Sequence, residues 1–286
     1  SNPWSRPEAY VNLGRLQDGS AEIDLWLDRG VAAADLRIVV SAVSPHLQAG
    51  FGGGAKMLLP GCARLDSIRQ LHLAGLPRRA QQMVGRPASG NRMRRLIDAA
   101  GRLVDAGGGK TFAVQYVQDS AGRLASIAAG DLAACQRMLA KQSAAGNGVL
   151  IEAPADVIVT SSYPRDADLW QSFKAIANTC WAARDNGEVI CLSRCLEGMN
   201  MPAIKFRLSG AMLRRVVRTV GSGPLSGLLT RAAGSLAADA AFFVRMALQV
   251  LERTHVTLVS PALVEAGHSL PGLDLTADPA EAVAAA

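Results

Sequence analysis

Residues 37–61 read RIVVSAVSPHLQAGFGGGAKMLLPG, and this stretch decides the fold prediction. Its first part, residues 37–43, is apolar and rich in β-branched side chains, which predicts a buried strand. The strand must end at Ser44-Pro45, because proline cannot continue a hydrogen-bonded ladder. His46 and the glycine-rich loop 50–56 then follow the carboxyl end of the strand, where open α/β sheets bind ligands. The stretch therefore predicts an α/β sheet with a binding loop at that edge.

The rest of the chain alternates predicted strands and helices, around a linker candidate at residues 143–148. Before the linker, helices are predicted at about 64–74, 91–106 and 131–145, and a strand at 111–117. After it, strands are predicted at 156–160, 188–192 and 255–259, and helices from Asp166 to about Arg184, at about 209–220 and at about 237–252. This alternation indicates the α/β fold class, with two α/β domains that have mostly parallel sheets. We place these domains at residues 1–148 and 149–286 and expect the active site in the cleft between them.

The composition excludes several classes of protein. The 286 residues carry a net charge of +6 but only four Trp, three Tyr and six Phe, and doublets such as Arg94-Arg95 are interpreted as solvated helix faces, so no nucleic acid is expected as a partner. No uninterrupted apolar run reaches the ~18 residues of a membrane helix, so no membrane partner is expected. The five cysteines include no CxxC pair, which is typical of reduced thiols. Since residues 1–6 show no secretory signal pattern, we expect a cytoplasmic protein.

Three residues whose side chains suit catalysis or metal binding lie in or near the predicted loop. Lys56 comes ten residues after His46, and His72 comes sixteen residues after Lys56. Each is a weak signal alone, since a histidine after a strand is usually structural and His72 has the helical spacing of a core residue. Between them lie three consecutive glycines that allow backbone amides to approach a ligand closely: Gly52, Gly53 and Gly54.

Taken together, these features resemble the lactate racemase family, whose members use a nickel pincer nucleotide. That family carries a Pro-His pair at the end of a strand, then a lysine and a second histidine at the same two spacings. The resemblance implies that His46 is a catalytic acid or base and that His72 is the protein ligand to nickel. It also implies that Lys56 binds the cofactor, covalently in some members, together with the glycine loop of Gly52, Gly53 and Gly54.

A second match lies downstream, where residues 164–174 read PRDADLWQSFK. This segment is similar to the family's Pro-x-Asp…Gln-x-x-Lys pattern. Gln171 and Lys174 are three positions apart and therefore share one face of a helix. The resemblance implies that Lys174 binds the substrate carboxylate or carbonyl and takes part in catalysis, with Gln171 beside it. Without the first match, a solvated pair on an exposed helix would be the plainer interpretation.

The chemistry that the resemblance implies accounts for these residue types. The Cα proton of a 2-hydroxyacid is very weakly acidic, whereas removal of hydride leaves a planar 2-keto acid that can be attacked from either face. The implied cofactor, pyridinium-3-thioamide-5-thiocarboxylic acid mononucleotide nickel, would accept that hydride. A histidine suits the hydroxyl proton because imidazole titrates near neutrality. Nickel accepts imidazole, so His72 fits one position of a square-planar site, and the cation of Lys174 suits the substrate carboxylate.

The sequence also departs from the family. Racemisation needs a second base, and neither His255, at the start of a strand, nor His268, in a loop, fits that role. The family carries its second base and a phosphate-binding stretch upstream of the Pro-His pair, where this chain is short. We therefore expect a fragment or one subunit of a split enzyme, whose partner is a missing N-terminal half or a second chain. Residues 1–148 would be the C-terminal part of the cofactor-binding domain, and residues 149–286 the substrate domain.

Three functions stay open at this point. The first is an isomerase, a racemase or epimerase of a small-molecule 2-hydroxyacid whose identity the sequence does not reveal. The second is a non-catalytic relative that binds nickel or a nucleotide. The third, an unrelated α/β hydrolase or zinc enzyme, is disfavoured because the sequence has no GxSxG, no HExxH and no third ligand near His46 and His72.

Overall fold

The computed structural model describes residues 6–76, 81–200, 210–232 and 238–286. These residues form two compact units. One unit holds the described residues up to Leu76 and those from Met83 to Val149, and the other holds Gln81, Gln82 and the described residues from Leu150 onward. Both combine helices with sheets, so the predicted α/β class is confirmed. The strand pairs of the second unit are all parallel, whereas the first unit has one parallel pair and three antiparallel pairs among its described residues. The identities given to domains 1–148 and 149–286 stay predictions, as does a site in a cleft between them.

The first unit contains a hairpin, a three-stranded sheet and a short two-stranded ladder. Its elements are β1 (Tyr10–Asp18), β2 (Ala21–Asp28), α1 (Arg29–Ala33), β3 (Leu36–Ala42), β4 (Pro45–His46), β5 (Gly50–Phe51), α2 (Leu65–Ala74), α3 (Arg92–Ala106), β6 (Lys110–Gln118), β7 (Leu124–Asp131) and α4 (Leu132–Asn147). In the sheet of order β3-β6-β7, β3 is parallel to β6 and β7 is antiparallel to β6. The predicted strands and helices of this half all correspond to elements of the structure.

The core of the first unit forms between the hairpin, α2 and α3. Strand β2 alternates in exposure, and its buried side chains, like those of the amphipathic α3, are aliphatic: Ala21, Ile23, Leu25 and Leu27 in β2, and Met93, Leu96, Ile97 and Ala100 in α3. Asn91 caps α3, because its side chain accepts a hydrogen bond from the N–H of Arg94 at 3.0 Å. The sequence patterns above do not predict the hairpin, since in β1 only Tyr10 and Leu16 are buried.

The second unit contains a four-stranded sheet of order β11-β10-β9-β8 in which all neighbours are parallel. Its described elements are β8 (Ala155–Ser161), α5 (Leu169–Thr179), β9 (Ala183–Leu192), α6 (Gly210–Val220), α7 (Ser222–Ala232), α8 (Ala238–Arg253), β10 (His255–Val259), α9 (Pro261–Glu265), β11 (Asp274–Thr276) and α10 (Pro279–Ala285). The predicted strands at 156–160, 188–192 and 255–259 are confirmed. Strand β9 lies inside the sheet and is buried on both faces, as three consecutive residues show: Val189, Ile190 and Cys191.

The predicted helix from Asp166 to Arg184 is wrong at both ends. Asp168 is the residue that caps α5, since its side chain accepts from the N–H of Gln171 at 2.7 Å. Asp166 instead pairs with Arg194, whose Nε and Nη2 lie 2.6 and 2.8 Å from its two carboxylate oxygens. The starts predicted at residues 209 and 237 for two later helices lie outside the described residues. None of the described helices is both long enough and apolar enough to cross a membrane.

Candidate functional site

Close backbone contacts hold the loop that follows β3. The N–H of Gly52 donates to the carbonyl of Ser44 at 2.7 Å, and His46 pairs with Gly50 in the ladder of β4 and β5. Gly50 has a φ of 74°, and the carbonyl of Arg86 fills the place that a Cβ would take. The chain therefore turns back on itself just beyond β3, and this turn positions His46.

The backbone fixes the ring of His46. Its Nδ1 accepts hydrogen bonds from the N–H groups of Gln48 and Ala49, at 3.2 and 3.1 Å. Because Nδ1 is an acceptor, the neutral ring carries its proton on Nε2. The half-buried ring is therefore arranged to donate from Nε2. For Nε2 to accept a proton, the ring would have to take the other tautomer and lose its hydrogen bonds to these two amides.

His72, in the last turn of α2, has the opposite arrangement. Its Nδ1 lies 2.9 Å from the carbonyl oxygen of Ile68. Since a carbonyl only accepts, the neutral ring donates from Nδ1 and carries its lone pair on Nε2. Metal-binding histidines are commonly oriented in this way, by donating the other ring N–H to a backbone carbonyl. The geometry therefore suits His72 as a metal ligand through Nε2.

Gln48 connects the two histidines. Besides its backbone bond to His46, its buried side chain donates from Nε2 to the carbonyl of His72 at 3.3 Å. Its own carbonyl accepts from Nδ2 of Asn91 at 2.8 Å. The loop, α2 and the start of α3 thus meet at one residue. The sequence reasoning above did not single out Gln48, and the only available signal was a polar side chain two positions after His46.

Lys56 follows the three glycines in a short 3₁₀ turn. Gly53 and Gly54 have φ values of 71° and 64°, a region that other residues enter only with strain. A Cβ at Gly53 would lie 2.6 Å from Cγ2 of Val43, and one at Gly54 would lie 2.8 Å from a side-chain carbon of α4. At Gly52 the nearest atom would be 3.6 Å away, which is ordinary contact. The packing of the protein therefore requires glycine at two of the three positions.

Polar groups of the loop are bonded within the protein. The N–H of Gly54 donates to Oε1 of Gln115 at 2.9 Å, and Nε2 of Gln136 donates to the carbonyl of Gly52 at 3.2 Å. These bonds shape the turn that carries Lys56. The assignment of Gly52, Gly53 and Gly54 to cofactor binding stays a prediction.

Arg94 is the charged anchor of this loop. Its side chain is 2% exposed, its Nε and Nη2 lie 3.0 and 2.7 Å from Oδ1 of Asp98, and its Nη1 donates to the carbonyl of Gly53 at 3.2 Å. Burial lowers the pKa of Arg94, and the carboxylate of Asp98 opposes that shift. A buried charge persists only when it is paired and hydrogen-bonded, so the loop and α3 hold each other in place. The interpretation of Arg94 as part of a solvated doublet is therefore wrong.

In the second unit, Gln171 and Lys174 meet on one face of α5. The Nζ of Lys174 donates to Oε1 of Gln171 at 2.7 Å. Burial lowers the pKa of Lys174, the nearby Arg165 lowers it further, and Asp168 acts in the opposite direction. An anion bound beside Lys174 would favour its charged form, because it would offset both of the effects that lower the pKa.

The start of α5 is fixed to the end of β9. The Oγ of Ser172 donates to the carbonyl of Asp168 at 2.7 Å and lies 2.7 Å from Oγ of Ser193. Next to this contact, at the carboxyl ends of β8, β9 and β10, lies a cavity of about 260 Å³ whose lining includes Ser161 and Arg194. The sequence patterns did not identify these lining residues, because they lie at strand ends and in loops that come together only in the folded unit.

The predicted site residues are divided between the two units. His46, Lys56 and His72 belong to the first, where Gln48 joins the two histidines in one network. Gln171 and Lys174 belong to the second, where they contact each other.

Comparison with known proteins gives matches to lactate racemases. A family model described as the lactate racemase N-terminal domain matches residues 4–83. The lactate racemase of Thermoanaerobacterium thermosaccharolyticum is 28% identical over 193 residues, which cover 65% of this chain and 42% of that protein. The lactate racemase of Lactiplantibacillus plantarum is 24% identical over 191 residues, covering 66% of this chain and 43% of that protein.

The fold agrees with the same relatives. The lactate racemase apoprotein from T. thermosaccharolyticum superposes with a TM-score of 0.73 at 20% identity, covering 99% of this chain and 64% of that chain. A protein from Thermotoga maritima superposes with a TM-score of 0.68 at 17% identity, covering 97% of this chain and 71% of that chain.

Together these findings show that the chain is similar to lactate racemases in sequence and in fold. The resemblance to this family that His46, Lys56 and His72 predict is therefore confirmed. The matched stretch spans less than half the length of the curated relatives.

The loop geometry predicts that neighbouring glycines differ in tolerance. We expect Gly53→Ala to lower the free energy of unfolding by about 2 kcal/mol, because the methyl group meets Val43 and the backbone is strained. Gly52→Ala should cost less than about 1 kcal/mol, since its Cβ has space. Urea unfolding of both variants measures the difference, and equal losses would contradict the packing described for this loop.

In two Arg–Asp pairs the partners are four residues apart, but one arginine is buried and the other is exposed. Substitution of each arginine therefore tests how much burial contributes to stability. Arg94→Met should cost about 3–5 kcal/mol of unfolding free energy, because it leaves the carboxylate of Asp98 without its charge partner and the carbonyl of Gly53 without its donor. Arg123→Met, which breaks the Asp119–Arg123 pair, should cost below about 1 kcal/mol, because that arginine side chain is 80% exposed. A loss for Arg94→Met as small as that for Arg123→Met would show that the loop does not depend on this anchor.

Proposed function

We propose that the chain is the part of a 2-hydroxyacid racemase or epimerase that holds a nickel pincer nucleotide and supplies an acid or base. The single observation that supports this most is the arrangement of His72, whose Nδ1 donates to Ile68 and whose Nε2 carries the lone pair. It lies in one network with a second imidazole, that of His46. The similarity to lactate racemases gives the context.

The donor set of the described residues fits such a cofactor. Among them, no group of three or more His, Cys, Asp or Glu side chains is placed to hold a metal ion. A nickel ion whose other ligands come from an organic group would need few ligands from the protein, and an imidazole nitrogen suits nickel. His72 would be this ligand, and Lys56 would hold the organic part from the turn after the glycines. When bound, the cofactor supplies an electron-poor centre that accepts hydride from the substrate Cα.

His46 would handle the proton of the substrate hydroxyl group. In the arrangement seen here its Nε2 carries a proton, so the ring is prepared to hydrogen-bond to, and protonate, an oxygen. To remove a proton from the substrate hydroxyl group instead, His46 must accept that proton at Nε2, which requires the ring to leave the amides of Gln48 and Ala49. Donation and removal of the proton therefore need different arrangements of this ring.

Lys174 and Gln171 would bind the substrate. A 2-hydroxyacid carries a carboxylate, and the half-buried amine of Lys174 beside Arg165 is an environment that favours an anionic ligand. The amide of Gln171 already holds the amine at 2.7 Å and so sets its direction. A carboxylate that approaches Lys174 would also be within reach of the amide N–H groups of Gln171.

A second function shares the cofactor site but not the activity. This alternative is the non-catalytic nickel- or nucleotide-binding protein, or the subunit of a split enzyme, that the sequence leaves open. Such a protein would bind the cofactor through the same His72 and Lys56 but would turn over substrate only with a partner, or not at all.

Nickel retention tests the cofactor assignment without requiring activity. Protein produced together with the cofactor's biosynthetic enzymes should carry close to one nickel per chain after gel filtration, measured by mass spectrometry of the metal. His72→Ala should lose most of that nickel, because its imidazole is the proposed protein ligand. His268→Ala, on the second unit, should keep it. Wild-type protein without nickel, or equal retention in both variants, would contradict the assignment.

An isotope label tests the reaction. With a 2-hydroxyacid deuterated at Cα, we expect the inverted product to keep its deuterium in ordinary water, because hydride transfer returns the same nucleus. The measurement uses the nickel-loaded chain, and the product is analysed by chiral chromatography and mass spectrometry. Loss of the label to solvent would show proton abstraction instead. Binding of nickel without turnover would favour the second function.

A further inference from the structure

A cluster of polar and charged side chains lies where β10 and β11 begin, and the proposed function does not use it. His255 is the first residue of β10 and stands beside Glu188 of β9 in the register of the sheet. Thr257, two positions further along, stands beside Asp274, the first residue of β11. Because the side chains of a strand alternate between its faces, these four residues share one face of the sheet.

Helix α6 brings two arginines to this face. Nη1 of Arg214 lies 3.5 Å from Oδ2 of Asp274, which fixes the level of the helix against the sheet. Arg218 follows four positions later, on the same side of α6 and about 6 Å along its axis. His255 lies two positions before Thr257 on β10, a similar distance of about 7 Å. The spacing along the helix and the strand therefore brings Arg218 to the level of His255.

The electrostatics of the imidazole agree with this placement. Burial lowers the pKa of His255, and the guanidinium groups of Arg218 and Arg214 lower it further. Asp274 has the opposite effect. Of the two arginines, Arg218 has the larger influence, as expected if it is the nearer one. Three groups that can carry positive charge therefore converge at the start of β10.

The carboxylates of the cluster are already engaged. Asp274 lies beside Arg214, and Oε1 of Glu188 accepts a hydrogen bond from the hydroxyl group of Thr257 at 2.8 Å, which directs it away from the start of β10. Burial and the charge of Arg214 both lower the pKa of Arg218, and none of the described carboxylates opposes them. The cluster therefore has an excess of positive charge around Arg218.

Arg218 also lacks hydrogen-bond acceptors. Its Nε and Nη2 are shielded from water and have no hydrogen-bond partner, and among the arginines of the described ranges it is the only one with two nitrogens in this condition. Arg94 shows the usual solution, since Asp98 balances its buried charge. Buried donors of a charged group cost free energy when they have no acceptor. Because Arg218 as a whole is partly exposed, an ion from solution can reach it and supply that acceptor.

We propose that Arg214, Arg218 and His255 bind a phosphate group, either as the free ion or as part of a phosphate monoester. Two guanidinium groups and an imidazole offer N–H donors in different planes, which suits a tetrahedral oxyanion better than a planar carboxylate. A small outward rotation of the Arg218 guanidinium would turn its unpartnered nitrogens towards the phosphate oxygens. The bound anion would offset the repulsion between the cations and link α6 to the sheet. This site does not depend on the reaction that the chain catalyses.

Calorimetric titration of the whole chain at constant ionic strength tests the site, with inorganic phosphate and with glycerol phosphate as two separate ligands. We expect saturable binding with a Kd on the order of 0.1–1 mM for at least one of them. The unfolding temperature should rise with the concentration of that ligand, because it binds only the folded chain. Tighter binding of the monoester would identify a phosphorylated metabolite as the ligand, whereas tighter binding of inorganic phosphate would identify the free ion.

Two neighbouring arginines of α6 supply the matched variants. Arg218→Gln should weaken phosphate binding at least about tenfold, since a charged donor is lost. In phosphate-free buffer this variant should unfold at the same temperature as the wild type or at a higher one, because it removes a charge that has no partner. An arginine with a purely structural role would give a lower unfolding temperature instead. Arg215→Gln is the control, since Arg215 is exposed, and it should leave phosphate binding unchanged.

Three outcomes would overturn the proposal. One is the absence of saturable binding of either ligand, or an affinity no greater than that for chloride, which would indicate a general response to ions. Another is equal weakening of binding by Arg218→Gln and Arg215→Gln, because the phosphate would then lie elsewhere. The last is a lower unfolding temperature of Arg218→Gln in phosphate-free buffer, which would show that the protein itself satisfies this guanidinium.

Discussion

A buried positive charge organises the candidate site. Arg94 lies where water cannot solvate it, so the carboxylate of Asp98 must balance its charge and its remaining donor must find an acceptor. That acceptor is the carbonyl of Gly53, in the tightest part of the loop. The loop cannot move outward without leaving an unsatisfied guanidinium inside the protein, which is costly. The positions of Lys56 and His46 on either side of that carbonyl follow from this constraint.

The two imidazoles of the first unit show how the backbone alone can assign different roles to one residue type. Two amide N–H groups face Nδ1 of His46, whereas a carbonyl oxygen faces Nδ1 of His72. The same ring therefore presents a proton from Nε2 in one case and a lone pair in the other. No charged side chain is needed for this distinction. It follows from a loop that directs amides at one ring and from a helix whose last turn directs a carbonyl at the other.

Much of the fold could be predicted from the sequence where patterns are strong and local. The strands at 37–43, 111–117 and 255–259 are continuous β-rich runs, and α3 has a clear apolar stripe, so propensity and burial agree. The hairpin β1–β2 could not be predicted, because one of its strands buries few side chains. The start of α5 could not be predicted either, because Asp166 and Asp168 are both candidate cap residues. Either can cap a helix, and only the distant Arg194 decides that Asp166 is used elsewhere.

The sequence predicts the members of the candidate site but not the contacts between them. The spacings of His46, Lys56 and His72 indicate a resemblance to lactate racemases, but the tautomers depend on backbone groups that no spacing reveals. Arg94 illustrates the same point, since a doublet of arginines is normally solvated and only the fold shows that one of the two is interior. Gln115 and Gln136, which bond to the glycine loop, come from β6 and α4, far along the chain from it.

Gln48 gives this arrangement an evolutionary consequence. Its backbone orients the ring of His46, and its side chain donates to the carbonyl of His72, so one codon influences both the proposed proton carrier and the proposed metal ligand. A substitution at residue 48 would disturb both histidines at once, and selection could not adjust one independently of the other. Residue 48 is therefore expected to change slowly wherever both histidines are retained.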